Sequence, residues 1–505
     1  MQMRRLIITM FCLLPTAALM YGCGSSSKSG GTLSSVAKVD ETACAQCHAQ
    51  AVDKIDPSAT IYAKYNASLH FTNNFNTVGC QDCHGGGAQH NGVGPLPYPN
   101  PDAAGQCFSC HKNYLNSQHY AVYPANATST RDDKTTAKHN AQYVTTDYQN
   151  SCTSCHDSHQ PKVGDEHKDW AESGHGDVAG LGWANYDFKF GADCSACHTS
   201  TGFISYVSSG YTVPTTTFAK AGDSTHEVLT CKACHTDYNF KNRIRNTSAV
   251  KAMYTYAGQA ITFPGVGASN LCVACHSGRG NVETARTTRY QGHHAPAAGI
   301  LFNDKSHMGY EFAGKSYANA TGFIHDNIGT SAAPGTGTNG PCVACHMDAA
   351  TNTSSHKFAA VTKNSAGTIT AVPTSAVCAK CHADVDSLDT MRLGYNEAGQ
   401  LLKAYLDNTV ANYLSVKVEA TKKDAVTGEY VFVSNVYGAS QNYLMVGDEA
   451  GAYVHNSAYA KRLIFDSIDW MDNGALTGSI TIPVGYPNAR IWFDADLTTG
   501  VASRP

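Results

Sequence analysis

Apolar positions fall into three regimes along the 505 residues. Leu6 to Met20 is a mainly apolar run of 15 residues, interrupted by Pro15, behind a start (Met1 to Arg5) that carries two arginines. From Cys44 to His382, Gly, Pro and Asn punctuate the chain and predict sparse regular structure. After His382, Leu402, Leu406, Val410 and Leu414 recur every four residues and predict an amphipathic helix over about 385 to 415. Glu429 to Asn435 and Ala489 to Leu497, rich in Val, Ile, Tyr and Phe, predict strands. Val454 to Leu463 opens a second helix running to about Met471, with Asn456 or Ser457 as its cap. No stretch reaches the roughly 18 apolar residues that a bilayer-spanning helix needs, so an integral membrane protein is not expected.

A positive start followed by a short apolar core reads as a secretory signal rather than a membrane span. Cys23 follows Leu19-Met20-Tyr21-Gly22, which resembles a bacterial lipoprotein signal with Gly before the cysteine to be lipidated, although Met20 stands where Leu is usual. Gly24 to Gly31 is Gly- and Ser-rich, the composition of a flexible tether. Residues 1–22 are thus expected to be a signal peptide and 23–40 a tether. Membrane contact would run through a lipid on Cys23, and one lipid chain alone anchors only marginally.

The hydrophobic fraction of 42% suits a folded chain. A formal charge of −4 argues against a nucleic-acid partner, which needs a basic face. Cysteine changes the picture most. Of 20 cysteines, two lie in the first 23 residues, and the other 18 form nine Cys-x-x-Cys pairs, each followed at once by His. They are Cys44, Cys47 and His48; Cys80, Cys83 and His84; Cys107, Cys110 and His111; Cys152, Cys155 and His156; Cys194, Cys197 and His198. Then come Cys231, Cys234 and His235; Cys272, Cys275 and His276; Cys342, Cys345 and His346; and Cys378, Cys381 and His382. The spacing has a covalent reason: two thiols add across the two vinyl groups of one haem, and the adjacent His reaches the iron. Disulfides, zinc sites and thioredoxin-like redox pairs use the same cysteines, but none of them requires His directly after the second. Nine such placements predict nine covalently bound haem c groups.

On these nine motifs and several short His-containing segments, the chain resembles the multihaem c-type cytochromes exported by metal-reducing bacteria, among them outer-surface lipoproteins. The resemblance implies a multihaem cytochrome c fold, mostly irregular, with short α-helices around a haem core and a small β content near the C-terminus. It also implies an outer-membrane lipoprotein on the periplasmic or cell-surface face.

Nine histidines serve as proximal ligands, which leaves 14 for the opposite axial positions. His90 ends a glycine-rich run after His84 that is similar to a motif of the class. His159 follows His156 by three, a spacing seen in the class, and would serve a neighbouring haem. His226 precedes Cys231 by five residues, and His139 and His70 precede motifs by 10 to 13. His175 ends Trp170-Ala171-Glu172-Ser173-Gly174-His175, which looks like a distal-ligand segment of the class. His325 and His356 flank the motif at Cys342, and His293 is preferred over His294. His455 lies in a segment similar to C-terminal distal-ligand helices of the class. His119, His167 and His307 are left outside the set. The ten Met show no placement relative to the motifs, so bis-His ligation and low potentials are expected.

The first cysteines span 334 residues in eight intervals, about 42 per haem. That is too little chain for a separate pocket around each porphyrin, so the haems would supply much of the core of a domain over 41–384. Residues 385–505 would pack on it as a motif-free region, and Gly329 to Thr338 reads as a loop. The function expected is electron transfer through the haems to extracellular acceptors such as metal oxides, with redox partner proteins that include a porin–cytochrome complex. A reductase of nitrite, hydroxylamine or a sulfur oxyanion with one open haem is the alternative, and a conductive filament is a second.

Overall fold

A computed structural model describes residues 37–52, 59–72, 78–90, 96–102, 104–107, 152, 156–159, 165–176, 188, 192–212, 228–236, 245, 248–284, 296–347, 355–372, 375–382, 387–409, 421–423, 430–432 and 435–505. The readings of the signal peptide, the tether and Cys23 fall outside these residues, as do those of Cys110, His111, Cys155, His139, His226 and His293.

Most motif cysteines sit on short helices: Glu41–His48, Cys80–His84, Ala192–His198, Asn270–His276 and Gly340–His346 each end on the motif histidine. Cys231–Cys234 stops at the second cysteine, and Ser375–Cys378 stops at the first, with a turn carrying the rest. In a helix, positions i, i+3 and i+4 share one face, so two thiols and an imidazole emerge together. Helices this short are unstable alone, and neighbouring side chains hold their ends. The Asp40 carboxylate accepts from Thr42 N–H at 2.8 Å. Glu41 accepts from Cys80 and Gln81 N–H at 3.0 and 3.3 Å, so the first motif helix caps the second. Ser269 Oγ accepts from Val343 N–H at 3.0 Å in the first turn of Gly340–His346.

The chain divides into two compact units. One holds the described residues 37–107 and 152–159, with the first four motifs; the other holds those from 165 to 505, with the last five motifs and the C-terminal region.

Four two-stranded antiparallel sheets make up the sheet structure among the described residues. Lys251–Tyr256 pairs with Gln259–Thr262 through Ala257 and Gly258, both at positive φ (47° and 71°), the backbone of a two-residue primed turn. This hairpin and Thr362–Lys363 with Ile369–Ala371 lie among the motifs, so β structure is not confined to the C-terminus as expected. Thr421–Lys423 pairs with Tyr430–Phe432, where a strand was expected, and Ser479–Thr481 pairs with Val501–Ser503.

The C-terminal region shares one buried side-chain core with the segments of the second unit from Ala196 onward. Leu388–Thr409, within the expected span, buries Tyr395, Ala398, Leu402 and Leu406 on one face. Ser457–Asn473 buries Leu463, Ile464, Phe465 and Ile468. Each such aliphatic side chain contributes about 1.5–3 kcal/mol by leaving water. Asn456 is the N-cap, its side chain accepting from Tyr459 N–H at 3.1 Å. It also breaks the helix, so His455 ends a separate single turn, Ala452–His455.

Two further differences have local causes. Asn435–Asp448 is a helix that the pattern did not announce, because Gly438, Asn442 and Gly447 dilute its apolar stripe. The strand expected over Ala489 to Leu497 is instead a helix, Pro487–Trp492, followed by turns. Proline suits the first helical turn. The Glu397 carboxylate, from the Leu388–Thr409 helix, accepts from Asn488 and Ala489 N–H at 2.7 and 3.0 Å and satisfies that helix start. Among the described residues, no helix is long and apolar enough to cross a membrane.

Candidate haem-binding sites

Five motif histidines each face a histidine from outside the motifs. Ring centres are 6.1 Å apart for His48 and His90, 6.4 Å for His276 and His175, and 6.3 Å for His235 and His356. They are 6.2 Å apart for His346 and His455 and 6.0 Å for His382 and His325. These gaps exceed ring-stacking contact. A metal–imidazole bond of about 2.0 Å, plus about 1.1 Å from each nitrogen to its ring centre, sets two axial rings about 6.2 Å apart. The residues present therefore fit a bis-imidazole metal site, and the ring planes, 16° to 71° apart, show that the fit lies in separation rather than parallelism.

Hydrogen bonds fix the tautomer at several rings. Nδ1 of His84 lies 3.0 Å from the Tyr98 carbonyl, Nδ1 of His346 3.0 Å from the Phe358 carbonyl, and Nδ1 of His325 2.7 Å from the Val454 carbonyl. A carbonyl only accepts, so each Nδ1 carries the proton and each Nε2 keeps a lone pair for a metal. Burial first, then repulsion from His276 and His356, holds His175 down at about 4, neutral and able to ligate.

In the first unit the glycine run explains how His90 reaches His48. Gly85 has φ of 83°, and a Cβ there would lie 2.6 Å from the Pro97 side chain, so the turn that brings the chain back requires glycine. Burial, opposed by the Tyr98 bond and aided by the charges of His159 and His48, lowers the His84 pKa, so both histidines lie within electrostatic reach of His84. His70 lies on the single turn Leu69–Thr72. His156 follows Cys152, whose N–H donates to Asp102 at 3.2 Å.

Motifs also meet through their cysteines, none of which is in a disulfide among the described residues. Hydrogen bonds join Cys44 to Cys80 and Cys107 to Cys152 in the first unit. In the second unit they join Cys272 to Cys342 and Cys275 to Cys197. First cysteines meet first, and second meet second, so the Cys272 motif touches two others. Arg279 pairs with Asp193 across the same junction. Burial leads the causes that push the Cys80 thiol up to about 12 and Cys234 to about 11.

Sequence reasoning missed the residues behind the ligands. Phe358 sits at φ of 55°, its ring 4.6 Å from His175 and 5.7 Å from His356 between ring centres, while its carbonyl holds His346. Glu449 holds His455 Nδ1 at 3.0 Å. His307 stacks on Tyr256 with ring centres 3.8 Å apart. Phe188 stacks at 3.9 Å on the ring of His198.

No protein-family model matches the chain. Curated relatives do. The C-type polyheme cytochrome OmcB of Geobacter sulfurreducens is 27% identical, with 93% of this chain and 94% of that protein covered. The C-type polyheme cytochrome OmcC of the same species is 26% identical, with 97% and 98% covered. Among solved structures, the undecaheme cytochrome from the S-layer of Carboxydothermus ferrireducens matches 78% of this chain at 15% identity and a TM-score of 0.31, and the chain spans about half of its length. The resemblance read from the nine motifs thus extends over more than nine-tenths of the chain, which is similar to polyhaem c-type cytochromes along nearly their whole length.

Proposed function

We propose that this chain is an exported electron-transfer protein that binds nine haem c groups, one at each Cys-x-x-Cys-His motif, and acts on no substrate bond. The observation that carries the reading is the set of five motif histidines, each facing a second histidine at 6.0–6.4 Å. His48 with His90, His276 with His175, His235 with His356, His346 with His455 and His382 with His325 would hold the irons from both faces. Haem supplies one-electron chemistry when bound. The protein's part is to attach it, exclude exchangeable ligands at both axial positions and bring attachment points together. Four motif histidines then still need a second ligand, and His70, His159 and, beyond the described residues, His139, His226 and His293 are the five candidates for those four places, one more than needed.

Adjacency supports transfer from site to site. The His175 pair neighbours His356, the His346 pair neighbours His276, and the His325 pair neighbours His455. The sites of His235, His276, His346 and His382 therefore form a row, and the Cys197–Cys275 contact brings the His198 site against its second member. Electron tunnelling falls exponentially with distance, so such a row favours passage over storage. Export with lipidation at Cys23, a porin–cytochrome complex as partner and a metal oxide as acceptor form the cellular setting of this proposal.

Intact-mass spectrometry with pyridine haemochrome quantification tests it. Nine haems per chain, resistant to acid–acetone extraction, is the expected result. Disulfide-linked or zinc-loaded chains lacking haem would overturn it.

A further inference from the structure

Glu449 is a carboxylate that hydrogen-bonds the ring of a proposed ligand, His455, and its surroundings are built for that. The residue is 2% exposed. Its Oε1 accepts from His455 Nδ1 and from Gly451 N–H, both at 3.0 Å. Its backbone is fixed by Glu449 N–H donating to Met445 O at 2.8 Å, and by Ala452 N–H and Tyr395 Oη donating to its carbonyl at 3.2 and 3.1 Å. Gly451 makes the approach possible: a Cβ there would lie 2.8 Å from His455 Cε1 and 2.9 Å from Glu449 Oε1. Glu449 Oε2 is buried without a hydrogen-bond partner, and among the described residues no lysine or arginine pairs with the carboxylate. A buried carboxylate with an orphaned oxygen is costly unless a positive centre compensates it. The histidine that it holds points to where that centre belongs.

We propose that Glu449 is a positioning residue that lowers the potential of the haem held by His346 and His455 relative to its neighbours. This rests on the bis-His reading above. The other described Nδ1 bonds of proposed ligands, at His84, His346 and His325, run to neutral carbonyls. A hydrogen bond to an ionised acceptor is roughly twice as strong as a neutral one. It draws the Nδ1 proton away from the ring, makes Nε2 more basic and favours the ferric state, as carboxylate–histidine pairs do at other metal sites. The site stands third in a row of four. An electron would cross it without resting there, so the pair divides the row into a pool around His235 and His276 and a terminus at His382.

The test is Glu449→Gln in the full haem-loaded protein, which keeps the shape and removes the charge. Removing such a partner changes metal affinity 10–100-fold. One haem equivalent in a potentiometric titration should therefore move to higher potential by about tenfold in its reduced-to-oxidised ratio, about 59 mV for one electron. Glu449→Asp, which restores a carboxylate, should recover part of the shift. Titration curves of Glu449→Gln that superpose on those of the unmodified protein would overturn the proposal. If Glu449→Gln does not accumulate with haem, Gly451→Ala tests the same bond by forcing Glu449 and His455 apart. It should shift the same haem in the same direction, and unchanged potentials there would overturn the proposal too. His455→Ala separates this from the reading on which it rests: an unaltered low-spin spectrum in that variant means His455 is no ligand, whatever Glu449 does.

Discussion

Asp466 anchors the helix that begins two residues after His455, and replacing it should loosen the C-terminal region. The side chain is fully buried. Its oxygens accept from Arg504 Nε and Nη2, both at 2.8 Å, and from Tyr317 Oη at 2.5 Å. Arg504, next to the last residue, also donates to Ser316 O at 2.9 Å and lies over the Tyr317 ring. One carboxylate thus ties together the Ser457–Asn473 helix, the chain end and the segment around Tyr317. Breaking a buried ion pair by removing one partner costs about 3–5 kcal/mol. The Arg504 side chain is 18% exposed, so water compensates part of the stranded charge and the lower end applies. For Asp466→Asn, a loss of about 3 kcal/mol corresponds to a fall in Tm of about 6–12 °C for a domain of this scale. Differential scanning calorimetry of the haem-loaded protein measures it. Replacing both partners by apolar residues, Asp466→Leu with Arg504→Met, should recover much of the loss, because no buried charge is then left unpaired. A Tm within about 2 °C of the unmodified protein for Asp466→Asn would refute the reasoning, since breaking a buried pair is strongly destabilising.

Two other substitutions separate ligands from packing residues. His356→Ala should convert one haem equivalent to a high-spin or exchangeable state visible in the absorption spectrum, whereas His307→Ala, which removes a ring stacked on Tyr256, should leave the spectrum unchanged. Gly85→Ala places a side chain at φ of 83° and against Pro97. A left-handed non-glycine residue costs about 1–2 kcal/mol before any clash, so the turn that delivers His90 should open and carbon monoxide should bind the reduced His48 site; no carbon monoxide binding would contradict that role for the turn.

The attachment residues were legible because their spacing is set by covalent chemistry within five consecutive positions. His90 was legible for a related reason, since the glycines that turn the chain back lie between it and His84. The other pairings were not. His325 and His356 flank the Cys342 motif, yet the structure sets them against His382 and His235, and His346 receives His455 from the C-terminal region. Such choices depend on tertiary packing that no local period encodes. The Leu388–Thr409 helix showed in the spacing of Leu402 and Leu406, whereas Pro487–Trp492 did not, because its start depends on Glu397 from another helix. Glu449 and Phe358 left only faint marks: an acid and a glycine shortly before His455, and an aromatic residue two after His356.

Electron paramagnetic resonance of the purified, air-oxidised protein tests the central claim most directly. The account predicts low-spin ferric signals that integrate to all nine haems, each iron held by two histidines. A high-spin ferric signal amounting to one haem per chain would contradict it, because an iron with an open position is a place for substrate rather than a relay for electrons.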